Sequence, residues 1–355
     1  MAPTRLTRLL SLQSKQLKTV ALLTGKPSAS NKSLTAEHLH DGVRALSQAP
    51  SGQRILSIDM GIKNLAFCVI EPEEIASKKP TYKLVDWKRL NLLAPTVPTI
   101  DGDLSEVDSP ETNTEADITE SGPSASTPPN EDTKPFFTPS NIAPLAFQLS
   151  QTLLEYSPTT ILIERQRFRS ARGSAVQEWT LRVNMLEAML WACFETRGAL
   201  AETRGHARGF KVKEMNPSRI AAFWNSEPSM VGDVEAVVKG DAGPETEVKE
   251  KTVRGMEKKE KIKLVKTWLK NGVVMGTPEV RDVVAGFDDS TGRKRGEGLG
   301  KKDDFADCLV QGVTAAIWQS NLAALRDILD EDVGLVTEKP KPKARSARRT
   351  KKAKS

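Results

Sequence analysis

Residues 54–70, which read RILSIDMGIKNLAFCVI, decide the fold of this chain. Two runs of β-prone apolar residues flank 61–64, so the stretch predicts a β-hairpin with its turn at those four positions. Glycine and asparagine both tolerate the positive φ of a tight turn. Asp59 interrupts the first run, and a carboxylate inside an apolar strand costs free energy unless it is paired or binds a cation. Asp59 is therefore either a turn residue that bonds the backbone or a metal ligand on a central strand.

Composition limits the class of protein. A chain of 355 residues with a net charge of +6 holds two ordinary domains, or one domain with long insertions. The segment 95–135 is rich in Pro, Ser, Thr and acid, the segment 226–256 is also polar, and the tail 333–355 is basic. We expect the two segments to be disordered insertions and the tail to be disordered too. The basic remainder favours a polyanionic partner, although solvated charge is the simpler interpretation of the tail.

Cysteine usage and hydropathy exclude several classes. The chain has three cysteines far apart in sequence, which form neither a disulfide framework nor a zinc motif, so a reducing compartment fits. It has no run of about 18 apolar residues, so we expect no membrane span and no membrane partner.

The N-terminus, residues 1–48, is basic and has no acidic residue before Glu37. That composition is typical of a mitochondrial transit peptide. The same region also predicts a helix over 17–23 that stops at 25–27, and a second helix over 33–45 capped by Ser33 or Thr35. Helix, Gly-Lys-Pro-Ser loop and helix resemble the SAP motif, a small helical DNA-binding module. A plain helical extension is the alternative, and a short presequence ahead of the module is compatible with both.

Beyond the hairpin, strand and helix patterns alternate, which indicates an α/β domain. We predict strands at 82–90, 159–164 and 210–215, and helices at 141–156, 174–196, 217–224, 258–270 and from 301 to 322. The strand 159–164 follows a helix and is apolar throughout, so it is expected to be a parallel central strand.

Four acidic residues stand out by their position. Asp59 lies in the first strand and Glu164 ends a later parallel strand, while Asp304 and Asp307 are three residues apart on one face of a helix. Acids at a helix N-terminus are also favoured by the helix dipole, so capping is the simpler interpretation of the helical pair. Asp303 lies four residues before Asp307 and faces a similar side.

This pattern resembles the RNase H-like nucleases, and within them the RuvC-type Holliday junction resolvases. The matching segments are Ser57-Ile58-Asp59-Met60-Gly61 with Asn64-Leu65-Ala66, then Ile163-Glu164-Arg165-Gln166, then Lys301-Lys302-Asp303-Asp304-Phe305-Ala306-Asp307. The last two segments look closer to the fungal mitochondrial branch, the cruciform-cutting endonucleases. The resemblance covers 54–94, 141–225 and 258–322.

The resemblance implies an α/β, RNase H-like fold: a mixed central sheet flanked by helices over 52–325, with a small helical N-terminal module. It implies a crossover junction endodeoxyribonuclease that nicks four-way DNA junctions symmetrically in mitochondria. Such hydrolysis uses two Mg²⁺ ions, which Mn²⁺ can replace, held by carboxylate oxygens. We expect Asp59 to bridge them, Glu164 and Asp307 to hold one each, and Asp304 or Asp303 to complete the shell.

Basic residues near these acids, together with the polar Gln166, are candidate phosphate contacts, with a solvated loop as the alternative for those in the segment after Glu164. They are Lys63, Arg165, Gln166, Arg167, Arg169, Lys258, Lys259, Lys261, Lys301 and Lys302. A four-way junction is two-fold symmetric, which favours a homodimer. The helix 174–196 is a candidate interface through Trp179, Met185, Met189 and Trp191, although core packing explains these residues equally well.

Three rival functions remain open. An actin-type ATPase shares the strand-Asp-x-Gly pattern, but its second hairpin and Gly-rich nucleotide motif are absent from the sequence. A non-catalytic DNA-binding protein would explain the basic tail but not Glu164 at a strand end. Another RNase H-like nuclease, which cuts RNA–DNA hybrids or acts as a transposase, would use the same acids.

Overall fold

The computed structural model describes residues 4–46, 52–73, 80–93, 137–166, 178–226, 234–240, 255–288 and 301–331. The expected insertion at 95–135 and the basic tail at 333–355 lie outside these ranges, as do Arg167 and Arg169.

A six-stranded mixed sheet forms the centre of the molecule, as the sequence predicts. Its strands are β1 (Ile55–Asp59), β2 (Leu65–Glu73), β3 (Thr81–Leu90), β4 (Thr160–Glu164), β5 (Lys211–Met215) and β6 (Val274–Gly276). The spatial order is β5-β4-β1-β2-β3-β6. β1 runs antiparallel to β2 and parallel to β4, with Ile58 beside Ile163. Because adjacent parallel strands end at the same edge of a sheet, their last residues, Asp59 and Glu164, lie at one edge.

Helices cover both faces of this sheet. They are α1 (Arg5–Ser11), α2 (Ser14–Leu23), α3 (Lys32–Arg44), α4 (Pro139–Glu155), α5 (Glu178–Thr203), α6 (Pro217–Asn225), α7 (Val234–Lys239), α8 (Lys258–Lys270), α9 (Arg281–Phe287) and α10 (Lys302–Asp330). A 3₁₀ turn, Pro278–Val280, precedes α9.

Alternation along the strands divides the apolar core in two. Leu56 and Ile58 face α4 and α5, whereas Ile55 faces α10 and the N-terminal helices. Side chains in a strand point to opposite faces in turn, so one continuous apolar run serves both layers. This arrangement explains why β1 and β4 are mostly apolar before their final carboxylates, with Ser57 and Thr160 as the exceptions.

The helices α1 to α3 pack on α10 rather than standing apart. Asn321 Nδ2 donates to the Leu23 carbonyl at 2.6 Å. Gly25 has φ +65°, and a Cβ there would lie 2.2 Å from the Trp318 ring, so only glycine fits this turn. The predicted helix caps Ser33 and Thr35 are wrong, because Asn31 Oδ1 accepts from the Ser33 amide and begins α3 earlier.

Three other expectations need correction. The helix predicted to end before Gly198 continues to Thr203, and the Arg208 guanidinium packs against Gly198, where a Cβ would be 2.6 Å from its Nε. The segment 226–256, expected to be disordered, contains α7, whose Val234, Val237 and Val238 are buried. Neither Gly61 nor Asn64 adopts a positive φ. Gly61 is needed instead because a Cβ would lie 2.8 Å from the Asn64 carbonyl oxygen.

Among the described residues, no helix combines the length and the apolar character that crossing a bilayer requires.

Candidate active site

Asp59 and Glu164 meet at the carboxyl edge of the sheet. Their carboxyl groups lie close enough to interact directly. Burial raises the pKa of Asp59 well above its usual range, and the charges of Glu164 and Asp307 raise it further. Two carboxyls this close cannot both be ionised without a compensating cation.

The first turns of α10 bring a third carboxyl to the pair. Burial raises the pKa of Asp307 to about 6, although Lys261 opposes that rise. Lys261 Nζ lies 2.8 Å from Asp307 Oδ1. Burial would lower the pKa of Lys261, but Asp307, Glu164 and Asp59 together outweigh burial and raise it. The Lys261 ammonium is thus the cation at the centre of this acidic cluster.

Asp303 and Asp304 differ in their surroundings. Asp303 forms an ion pair with Lys258, and that pair outweighs burial and lowers the pKa of Asp303. Asp304 is 4.0 Å from Arg89 Nη1, too far for a hydrogen bond, and burial followed by the Asp303 charge raises its pKa. Asp303 is therefore paired, whereas Asp304 remains available to a cation.

The position of α10 against β1 is fixed by close packing and by one buried amide. Gln311 Nε2 donates to Ser57 Oγ and to the Ile58 carbonyl, both at 3.1 Å. At Gly312 a Cβ would lie 3.2 Å from Ser57 Cβ, so the helix approaches the strand closely there. Trp87 Nε1 donates to the Phe305 carbonyl at 3.0 Å. These contacts hold Asp307 beside Asp59.

A pocket of about 140 Å³ opens onto the cluster. Its walls include Glu164, Lys261, Asp307, Gln311, Pro217 and Ser218. Asn216 caps α6 through a hydrogen bond to the Ser218 amide at 3.0 Å, so the N-terminus of α6 lines the pocket. That helix end favours negative charge, such as a phosphate group.

The turn between β1 and β2 is in contact with a lysine at the start of α10. With its amide oriented to satisfy both neighbours, Asn64 accepts from Lys301 Nζ at 3.3 Å and donates to the Lys63 carbonyl at 3.1 Å. Lys301 therefore joins the start of α10 to the turn that follows Asp59.

The other candidate phosphate contacts have different surroundings. Arg165 Nη1 is 3.3 Å from Glu214 Oε1 and remains largely exposed. The backbone N–H of Gln166 donates to Glu187 Oε2 at 3.3 Å. Lys259 is exposed and Lys302 half-buried. Arg167 and Arg169 lie outside the described residues.

Sequence reasoning missed three residues of this site. Arg89 on β3 faces Asp304, and Gln311 ties α10 to β1. Glu187 on α5 lies near Glu164, and burial raises its pKa. Glu187 is an acidic residue one turn before Leu190 in the helix predicted at 174–196. An acid so near the apolar side of a helix was the one sign in the sequence that it belongs to the site.

The donor set fits a hard divalent cation. Asp304 Oδ2 and Asp307 Oδ1 are buried oxygens that accept no hydrogen bond. The Lys261 ammonium is close to Asp307 Oδ1, but it is not directed along a hydrogen bond. Carboxylate oxygens are the ligands that Mg²⁺ prefers. Within the described ranges, however, no three acidic, histidine or cysteine side chains are already arranged to hold a metal ion. Ligand side chains must therefore shift from their present partners before a cation can be bound.

Comparison with known proteins follows from this geometry. The family model described as mitochondrial resolvase Ydc2 / RNA splicing MRS1 matches residues 55–325. The mitochondrial cruciform cutting endonuclease 1 of Schizosaccharomyces pombe is 34% identical over 142 residues, which cover 39% of this chain and 40% of the relative. The Saccharomyces cerevisiae protein of the same name is 21% identical over 224 residues, covering 60% of this chain and 53% of the relative. The chain thus aligns with about half or less of these curated relatives.

A solved structure shares the fold. The crystal structure of the yeast mitochondrial Holliday junction resolvase Ydc2 superposes with a TM-score of 0.52, covering 89% of this chain and 98% of that one at 24% identity. That similarity confirms the RNase H-like arrangement of the sheet and its helices.

Proposed function

This chain belongs to the family of mitochondrial resolvase Ydc2 and RNA splicing MRS1, and we propose that it is a structure-selective endonuclease that resolves four-way DNA junctions. The observation that carries this proposal is the meeting of Asp59, Glu164 and Asp307 in one half-buried cluster at the sheet edge. Buried carboxyls that repel one another cost stability, which is understandable where a catalytic cation offsets the cost.

Asp59, Glu164, Asp307 and Asp304 are the proposed ligands of Mg²⁺, with Mn²⁺ as a substitute and two ions per site. When bound, such ions activate a water and stabilise the leaving oxygen of a phosphodiester. The buried oxygens of Asp304 and Asp307, which accept no hydrogen bond, support this assignment. The pairing of Asp303 with Lys258 argues for Asp304 over Asp303 as the ligand.

The cations around the pocket are proposed to orient the DNA. Lys261 lines the pocket and can turn from Asp307 toward a phosphate oxygen once the carboxylates have another cation. Lys63 and Lys301 lie at the rim beside the turn, and Arg165 follows Glu164 directly. Lys258, Lys259 and Lys302, together with Gln166, Arg167 and Arg169, complete the proposed set.

The family description also includes an RNA splicing protein. A protein that only binds RNA has no use for three half-buried carboxyls that meet at one sheet edge, so the cluster favours hydrolysis. Another RNase H-like nuclease, which cuts RNA–DNA hybrids or acts as a transposase, would use the same acids. It differs from a junction resolvase only in its substrate. The junction is preferred because the curated relatives are cruciform cutting endonucleases.

We propose a homodimer, since two symmetric nicks require two active sites. On α5, Trp179 is 41%, Leu181 50% and Leu200 49% exposed, and Phe147 on α4 is 49% exposed. Met185, Met189 and Trp191 pack partly against the core. The exposed side chains of Trp179, Leu181, Leu200 and Phe147 are thus better candidates for the dimer interface than Met185, Met189 and Trp191. Mitochondrial location is proposed because the matching relatives carry that location in their names.

A substrate comparison tests the function. The purified protein is incubated with a synthetic four-way junction, a linear duplex of the same sequence and an RNA–DNA hybrid, each with Mg²⁺ or EDTA. We expect paired nicks in opposite strands of the junction, only with Mg²⁺. Equal cutting of all three substrates, or cutting in EDTA, would contradict the proposal.

A further inference from the structure

Three cations meet beside the active pocket without an acidic partner. Lys26 lies in the loop between α2 and α3, Lys213 on β5 and Arg219 on α6. Lys213 shares a strand face with Met215, whose side chain belongs to the core under α10. Arg219 Nη1 reaches the Gly25 carbonyl at 3.5 Å, which brings α6 to the loop that carries Lys26.

Within the part of the chain that the structure describes, no carboxylate forms an ion pair with this group. Among the described residues, none of the ion pairs includes Lys26, Lys213 or Arg219. Glu214 is the sequence neighbour of Lys213, but it points to the opposite strand face and pairs with Arg165. The charge of Asp41 raises the pKa of Lys26 against the effects of burial and Arg219, but Asp41 forms its ion pair with Arg44, at 3.6 Å.

The cations also repel one another. Burial lowers the pKa of Lys213 to about 8, and the charges of Lys26 and Lys211 lower it further. Burial likewise lowers the pKa of Lys26, with Arg219 adding to the effect. Partly desolvated like charges destabilise the folded chain unless an anion joins them.

The position of Lys26 is fixed rather than free. The turn before it needs Gly25 at φ +65° against Trp318. The Lys26 stem crosses α3 at Gly42, where a Cβ would lie 2.4 Å from Lys26 Cε. Two glycines and a tryptophan thus hold one lysine over the sheet edge, which a solvated surface lysine does not require.

We propose that Lys26, Lys213 and Arg219 form a phosphate-binding site that takes a backbone phosphodiester of the DNA away from the scissile bond. The site adjoins the active pocket, since Arg219 lies in sequence between the wall residues Ser218 and Ile220, and Met215 pairs with Glu164 across the sheet. One strand can therefore contact both places. The inference rests on the proposed function for its ligand, and it gives the N-terminal helices a part in holding DNA.

The test measures DNA affinity against salt concentration. Removing one phosphate contact reduces the slope of log affinity against log salt by about 0.9. We expect Lys26→Met/Lys213→Met/Arg219→Gln to bind a junction roughly tenfold more weakly at 0.1 M salt, with a slope lower by about one. Lys83→Met is the matched control, because Lys83 is half-exposed on β3 and pairs with Glu71. It should keep the wild-type slope.

Thermal unfolding separates this role from a structural one. Removing unpaired, mutually repelling cations should leave the Tm of the triple variant equal to or above that of the wild type. An unchanged slope in a folded triple variant would overturn the inference while the proposed function stands. Failure of the wild-type protein to bind any DNA would overturn both.

A footprint on the wild-type protein covers the case of a triple variant that does not fold. An amine-acylating reagent is applied with and without junction DNA, and modified lysines are read by mass spectrometry. DNA should protect Lys26 and Lys213 but not Lys83. Equal modification of Lys26 and Lys213 with and without bound DNA would contradict the site.

Discussion

Gln311 Nε2 donates to Ser57 Oγ and to the Ile58 carbonyl, at 3.1 Å in both cases. One buried amide thereby joins α10, which carries Asp307, to β1, which ends in Asp59. The distance between the two carboxyls depends on where the helix lies on the strand, so this contact positions the cluster without belonging to it.

Gln311→Ala is expected to slow junction cutting roughly 10–100-fold at a temperature where the variant is folded, because small displacements of reacting groups have effects of that size. The Ser57 hydroxyl and the Ile58 carbonyl would also lose a buried partner, which costs about 1–3 kcal/mol of stability. Single-turnover cutting and thermal unfolding measure the two effects.

Asn321→Ala is the matched control on the same helix. Asn321 is buried and donates to the Leu23 carbonyl at 2.6 Å, far from the carboxyls in sequence. It should lose similar stability and retain cutting. Equal loss of cutting in both variants would show that Gln311 acts through stability alone.

Gly61→Ala should destabilise the turn after Asp59 and reduce cutting. The new Cβ would meet the Asn64 carbonyl oxygen at 2.8 Å, and overpacking of this kind costs about 1–3 kcal/mol. Gly209→Ala is the control, since no atom lies within contact of a Cβ there and its φ is not positive. If both variants unfold at the wild-type temperature, the proposed tightness of the turn is wrong.

The pH dependence of stability, measured in EDTA, should reveal the raised pKa of Asp307. Its pKa is about 6 in the folded chain against 3.8 for the ordinary side chain. Between these values the folded state binds more protons than the unfolded state, so stability falls as pH rises from about 4 to about 6. Thermal unfolding of wild type and Asp307→Asn at a series of pH values measures this contribution.

The difference between the two proteins is the informative quantity, because other groups titrate in both. Asp307→Asn should gain stability relative to wild type as pH rises through that window. A constant difference from pH 4 to pH 7 would contradict the raised pKa of Asp307.

Magnesium binding should show whether Asp304 or Asp303 is the metal ligand. A ligand at 100 times its Kd stabilises a folded protein by about 2.7 kcal/mol, so Mg²⁺ should raise the Tm of the wild type. Asp304→Asn should lose most of this rise and most of the cutting. Asp303→Asn should keep both, because Asp303 is already paired with Lys258. The reverse pattern would assign Asp303 as the ligand.

The sequence predicted the ends of the central strands well. Asp59 and Glu164 each close an apolar run, and a parallel pair of such runs must place its final residues together. The spacing of Asp304 and Asp307 predicted their shared helix face. These features depend on local periodicity, which a single sequence contains.

Features that depend on tertiary contact could not be predicted. Lys261 and Asp307 are 46 positions apart and form an ion pair at 2.8 Å only because α8 packs beside α10. Gly198 resembles a helix end in sequence, yet it lies inside α5, where its missing Cβ leaves room for the Arg208 guanidinium. The valines of α7 are buried against α2 and α10, which no local pattern in a polar segment indicates.

The most direct test of the account compares wild type with Asp59→Asn on a labelled four-way junction. Binding is measured by gel shift in EDTA, and cutting is measured after Mg²⁺ is added. Asp327→Asn, an exposed aspartate on α10 paired with Arg326, is the control and should cut normally. We predict that Asp59→Asn binds the junction as the wild type does and does not cut it. Cutting by Asp59→Asn at the wild-type rate would contradict the assignment of the Asp59, Glu164 and Asp307 cluster as the catalytic centre.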